Sequence, residues 1–327
     1  MEITSGSDQQ NTIKEDLKMK NGKITIMIMC IVGCIAVFIL SSCQKHEKRV
    51  FFVPSVSGSV MAEFNWEEPN EDLYKIIPWQ NEFFAEENAP SEIQIDFVCP
   101  EMNSGNKFYY KESIKSGDLI KRSYEYNTDS GWGWCTVSAS GRKLFTFHES
   151  PKNSIIADRI ANMPADAFLS ENQCLEKAEK VLGCLYPNSD QFVLYETKQT
   201  QSKVDGYDIE RVRYEFWFKR EVEDVTISDV HITVLNYGDI EYVTNYDCLT
   251  NDAYDNSPKL DFRKALNDAE KAVNDKMKSV GSEYSATVRS AKLGVGKNNQ
   301  MLLFVEYGLK NNSSGFECGI LGVYVIL

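Results

Sequence analysis

Ser170-Glu171-Asn172-Gln173-Cys174-Leu175-Glu176-Lys177-Ala178, running on through Val181, Leu182 and Leu185, is the stretch that decides the fold. It opens as an S-x-x-Q capping box, in which the serine oxygen accepts from a backbone N–H three residues on and the glutamine reaches back. Leu169 stands where it can staple onto Cys174. Cys174, Ala178, Val181, Leu182 and Leu185 then recur with helical spacing as one apolar stripe, and Gly183 and Pro187 mark its end. No second helix follows. Residues 191–200, 210–220, 225–235 and 240–246 read as strands instead. Val212, Tyr214, Phe216 and Phe218 alternate with Arg211, Arg213, Glu215 and Lys219, which fits a sheet with one face on the core and one largely wet. Asn236-Tyr237-Gly238-Asp239 supplies a hairpin turn.

The same order recurs towards the C-terminus. Phe262, Ala265, Leu266, Ala269, Ala272, Val273 and Met277 form a helical stripe behind Asp261, a natural N-cap, and Gly281 can close it. Strands read at residues 286–295, 301–309 and 319–327. Upstream, residues 107–114, 118–127, 132–138 and 142–148 are short aromatic-rich strands separated by Gly-, Ser- and Asp-containing turns, a meander without helices. The expected fold class is α+β: repeated modules of one amphipathic helix packed on an antiparallel sheet, preceded by an all-β meander. The expected modules are residues 60–165, 166–250 and 258–327, with a tether at 44–59 that contains the apolar patch Val50-Phe51-Phe52-Val53.

The N-terminal region speaks about location. Residues Ile24 to Leu40 form an unbroken apolar run behind Lys18, Lys20 and Lys23, and Leu40-Ser41-Ser42-Cys43 closes it. At about 1.5 Å per residue the run reaches about 26 Å, just short of a hydrocarbon core of about 30 Å. A plain transmembrane anchor is therefore the simple alternative, and Lys45, Lys48 and Arg49 beyond the run do not decide the orientation. The Leu-Ser-Ser-Cys ending resembles the lipobox of bacterial lipoprotein signal peptides. That resemblance implies a leader over residues 19–43, acylation of Cys43 and a membrane-anchored chain on the outer face of the cell membrane. Residues 1–18 are polar and acidic, unlike an export n-region. Either the true start is Met19 rather than Met1, or this is a disordered tail.

Composition removes several functions. A formal net charge of -13 argues against nucleic acid and against attraction to anionic lipid. Acidic residues crowd residues 63–101, either as a solvated, loop-rich face or as a weak divalent-cation patch, without a calcium-loop pattern. Cys99, Cys135, Cys174, Cys184, Cys248 and Cys318 show neither CxxC nor Cys-His spacing, so no zinc site and no cofactor is expected. Six cysteines outside the cell permit three disulfides. The helical position of Cys174 equally suits a free buried thiol.

Catalytic signatures are absent from the sequence. His46, His148 and His231 are the only histidines, none in H-E-x-x-H, and each reads as a tether, surface or strand-edge residue. Gly131-Trp132-Gly133-Trp134-Cys135 is not a nucleophile elbow, and Gly294-Val295-Gly296-Lys297 is not a phosphate loop. A hydrolase reading rests only on an unrecognised site near Cys135 or His148. The aromatics Tyr124, Tyr126, Trp132 and Trp134 are the candidate binding surface, a groove for an extended peptide or glycan strand, unless they pack between modules.

The helix opener Ser170…Cys174-Leu175-Glu176-Lys177-Ala178 and its counterpart Asp261…Ala265-Leu266-Asn267-Asp268-Ala269 resemble PepSY-type domains of envelope lipoproteins. So do the aromatic strand Tyr214–Arg220 and the strand-turn-strand ending Asp229–Ile240. The resemblance covers somewhat less than half the chain. It implies a non-catalytic binding or regulatory module that engages an envelope protein or peptide, a peptidase among them, and it implies no catalytic residues. A single-pass structural or sensory protein is the remaining alternative.

Overall fold

In the computed structural model the described residues are 50–54, 82–116, 119–245, 252, 254–280, 283–297 and 300–327; Ile24, Leu40 and Cys43 lie outside them. The strands are β1 (Val50–Pro54), β2 (Glu82–Phe84), β3 (Glu92–Gln94), β4 (Lys107–Ser116), β5 (Leu119–Thr128), β6 (Gly131–Ser138) and β7 (Leu144–Pro151). Helices α1 (Asn153–Ala161) and α2 (Glu171–Leu185) follow, then β8 (Val193–Lys203), β9 (Glu210–Val222), β10 (Val225–Leu235) and β11 (Ile240–Asn245). Helix α3 (Phe262–Val280) precedes β12 (Tyr284–Val295), β13 (Met301–Asn311) and β14 (Glu317–Ile326).

Among the described residues these strands form one 14-stranded sheet, not a string of separate helix-on-sheet modules. The expected repeated-module fold is thereby corrected. Its order is β1-β14-β13-β12-β10-β11-β7-β6-β5-β4-β2, with β3 beside β4, and with β9 and then β8 branching from β10. Neighbours are antiparallel except at Thr226↔Lys292, where β10 meets β12 in parallel and makes the sheet mixed. The reason lies in backbone satisfaction. An open edge exposes a row of unpaired N–H and C=O groups, so β11 pairs with β7 and β10 reaches β12. A helix-then-meander pattern in sequence cannot show which edges meet, because pairing between distant strands leaves no local signal.

Each helix covers its own apolar cluster. The capping box at Ser170 forms as its residues dictate, the serine oxygen accepting from the Gln173 N–H and the Gln173 side chain accepting from the Ser170 N–H. Cys174, Ala178, Val181 and Leu182 of α2 are buried with Tyr214, Phe216 and Phe218 of β9 and Val230, Ile232 and Val234 of β10. Phe262, Ala265, Ala269, Val273 and Met277 of α3 pack with Leu303, Val305 and Leu309 of β13 and Leu321, Val323 and Val325 of β14. Removing a side chain of this size from water stabilises the fold by about 1.5–3 kcal/mol. Val50-Phe51-Phe52-Val53, expected within a tether, pairs with β14 as an edge strand that seats Phe51 in the interior. Helix α1 escapes the sequence pattern because it buries only Ile156 and Ala157 and has no side-chain cap.

Polar ties fix the strands to one another. The Tyr186 hydroxyl, just past α2, bonds to Ser228 at 3.0 Å and donates to Asn245 Oδ1, and Asn245 Nδ2 donates to the Leu144 carbonyl at 3.2 Å. Arg220, only 6 % exposed, pairs with Asp255 at 2.9 Å. Asp255 is the more exposed partner at 37 %, so this tie anchors the buried guanidinium to the surface. Among the described residues no helix is long and apolar enough to cross a membrane.

The β9–β10 hairpin is closed by Glu223 and Asp224, both left-handed at φ 51° and 64°. Such a turn favours Asn-Gly, and each acidic side chain there opposes the backbone. Glu223→Asn with Asp224→Gly is therefore expected to stabilise the protein by about 1–2 kcal/mol, read as a higher urea midpoint with unchanged slope. An unchanged or lowered midpoint would refute the turn assignment.

Candidate binding face

The run Gly131-Trp132-Gly133-Trp134 acquires a physical reading on β6. Side chains alternate across a strand, and here the glycines face inward while the tryptophans face out. Gly133 lies beneath the Tyr126 ring, where an added Cβ would come within 2.5 Å of the ring edge and 2.9 Å of the His148 carbonyl. Tyr126 and Tyr124 belong to the interior, 5 % and 1 % exposed. Of the four aromatics singled out in sequence, two thus pack the core. Trp132, 46 % exposed, and the half-buried Trp134 stand on the open face.

Strand register carries that open face across the sheet. Glu125, Trp134, His148, Tyr242, Thr233, Glu215 and Lys198 are successive cross-strand partners on β5, β6, β7, β11, β10, β9 and β8. Beside them runs a second row: Ser123, Thr136, Thr146, Thr244, His231, Trp217 and Glu196. At about 4.8 Å between strands, seven strands span about 29 Å. The rings touch. His148 lies edge-on to Trp132 (4.8 Å between centroids), Trp134 (6.3 Å) and Tyr242 (5.9 Å). His231 lies edge-on to Tyr242 at 5.4 Å and stacks flat on Trp217 at 4.4 Å.

Two of the three histidines thus sit in the middle of this band, not at a strand edge. Sequence reasoning missed them because each alternates with apolar residues on its own strand, and only cross-strand pairing brings the rings together. Burial pushes both imidazoles below their ordinary value, with Glu241 opposing this at His148 and Glu215 and Asp229 opposing it at His231. His231 Nε2 lies 3.4 Å from Glu215 and 3.3 Å from the Thr233 hydroxyl. Arg213 pairs with the buried Glu241 at 2.6 Å. Near one end, Trp132 and Trp134 line a recess of about 360 Å³ with Lys111 and Glu125, themselves paired at 2.6 Å.

The residues of the hydrolase reading do not meet. Cys135 is cross-strand partner to Phe147 on the core face, whereas His148 is partner to Trp134 on the open face. Cys135 is fully buried, and desolvation pushes its thiol well above the ordinary value, opposite to an activated nucleophile. Cys99, Cys135, Cys174 and Cys184 are free thiols, and no cluster of His, Cys, Asp and Glu suited to a metal occurs among the described residues.

The chain matches no family model, and no curated protein matches it. Among solved structures it is similar to the Bacillus megaterium YpeB C-terminal domain, 15% identical, over 71% of this chain and 98% of that one, with a TM-score of 0.33. A superposition that loose decides nothing about fold or function.

Two outcomes follow from the geometry of the band. Gly133→Ala forces the Tyr126 ring or the β7 backbone aside and is expected to destabilise the protein by about 1–3 kcal/mol in chemical denaturation. Both histidines have folded pKa values below their unfolded ones. As pH falls through the unfolded imidazole value, about 6.5, the unfolded chain takes up protons that the folded chain refuses, and stability drops. The urea midpoint should fall between pH 7 and pH 5, and fall less in His148→Gln/His231→Gln. An equal fall in both proteins would show that the band does not hold its imidazoles neutral.

Proposed function

We propose that this protein is a lipid-anchored, non-catalytic binding module on the outer face of the cell membrane, of PepSY type, engaging an envelope protein, with a peptidase as the partner class. The observation that carries the binding reading is the band of Trp132, Trp134, His148, Tyr242, His231 and Trp217 on an otherwise polar sheet face. Aromatic and neutral imidazole rings offer apolar area with little conformational entropy to lose, the composition that favours interface anchors. Their spread over five neighbouring strands, about 19 Å, suits an extended segment lying across the strands better than a compact small molecule. The lipobox-like Leu40-Ser41-Ser42-Cys43 supports the anchor, and two or more acyl chains would be required for stable attachment. The absence of catalytic motifs from the sequence supports a role in holding or restraining a partner.

Two measurements test this. In cells fed an alkyne fatty acid, the full-length protein should take up label that is lost in Cys43→Ala; labelling that survives the substitution, or never occurs, removes the anchor. In intact cells, a photo-crosslinker replacing Trp132 should join the protein to a defined envelope partner, and Trp217→Ala in the same chain should weaken that product at least fivefold. Crosslinks insensitive to Trp217→Ala would overturn the proposed binding face.

A further inference from the structure

A second recess, of about 410 Å³, lies elsewhere, where β10 and β12 part from their single parallel bridge. Its lining includes Val288, Arg289, Ser290, Ala291 and Lys292, five consecutive residues of β12. Successive strand residues point to opposite faces, so a recess touching all five borders the edge of the strand. That edge is open. β13 pairs along the other side of β12, β10 joins only at Lys292, and among the described residues no further backbone hydrogen bond reaches residues 285–291. Val288, 56% exposed, sits at the middle of the open stretch.

Two further features mark the recess as built to receive something. Tyr307 of β13 lines it and is 2% exposed, yet its hydroxyl is buried without a hydrogen-bond partner. Leaving a buried hydroxyl unsatisfied is destabilising, and a bound polar group would restore its hydrogen bond. The charges are also unbalanced. Arg289 is paired with Glu317, Lys292 with Asp229 and Lys219 with Glu221. Asp224 and Glu270 line the same recess with no ion-pair or hydrogen-bond partner among the described residues.

We infer that the open edge of β12 is a strand-addition site for an extended peptide segment carrying alternating apolar and basic residues. The peptide backbone pairs with residues 285–291. Its apolar side chains cover Val288 and Leu266, its cations face Asp224 and Glu270, and one polar group meets the Tyr307 hydroxyl. Main-chain pairing supplies affinity and the side-chain recess supplies selectivity. The site is separate from the aromatic band and does not rest on it.

The test uses the full chain in detergent and a fluorescent seven-residue peptide of alternating lysine and valine. Controls are a glutamate–valine counterpart and two versions N-methylated at alternate positions, each blocking one edge of the peptide. Saturable binding is expected, weakened at least tenfold by one N-methylation pattern and little by the other, and at least tenfold for the glutamate–valine peptide. Glu270→Gln should weaken it about threefold and Tyr307→Phe severalfold, the latter in a protein at least as stable as the parent. Trp132→Ala should leave it unchanged, which separates failure here from failure of the aromatic face. No saturable binding, equal binding of both N-methylated peptides, or full dependence on Trp132 would overturn the inference.

Discussion

A β-strand offers hydrogen-bonding groups along both sides, and β10 uses them on three neighbours. It pairs with β9 over its length, with β11 through its second half, and with β12 at Thr226. Among the described residues, the strands under α2 and the strands under α3 belong to one sheet only through this element. Val225 and Ile227, at its first half, belong to the α3 cluster, while Val230, Ile232 and Val234 belong to the α2 cluster. The register shift between Thr226 and Ser228 falls at Ile227, the last residue of the first set. A bulge of this kind re-aims side chains, so one strand can serve two cores.

Once β10 is placed, the division of faces follows from period two. Inward residues satisfy the helices. On the outward face the sheet assembles rings, threonines and ion pairs instead of a uniformly solvated surface. Glu241, 6% exposed, shows how far this face departs from a wet one: two arginines, Arg211 and Arg213, converge on it. The expectation that Arg213 and Glu215 simply point to water was too simple, because neighbouring strands supply Glu241 and His231 as partners.

What was legible in the sequence was local. The capping box at Ser170, the apolar stripe of α2, the limits of β10 at Val225 and Leu235 and the hairpin at Asn236–Asp239 all depend on residues within a few positions of one another. The apolar tyrosines Tyr124 and Tyr126 could not be told from the outward tryptophans by composition. The decisive clue was the alternation of Gly131 and Gly133 with Trp132 and Trp134, because an inward glycine leaves room for a neighbouring ring. The continuity of the sheet and the meeting of His148 with His231 across Tyr242 depend on pairings between residues almost a hundred positions apart. No periodicity records such pairings.

The hairpin tip at Glu223–Asp224 joins the energetics to the binding argument. A two-residue turn with both φ values positive is best served by Asn-Gly, yet this chain holds two carboxylates there. Local stability alone does not explain that choice, since neither side chain relieves the backbone strain. A recess that needs a negative rim does explain Asp224, which lines it beside Glu270. Tyr307 fits the same pattern: a phenol whose hydroxyl is buried without a partner, where phenylalanine would fill the core at lower desolvation cost. Burial, with a contribution from Glu270, pushes that phenol up to about 12, so it stays protonated and able to donate at any physiological pH. Two locally unfavourable residues lining one recess are more economically explained by a shared occupant than by two independent lapses in packing.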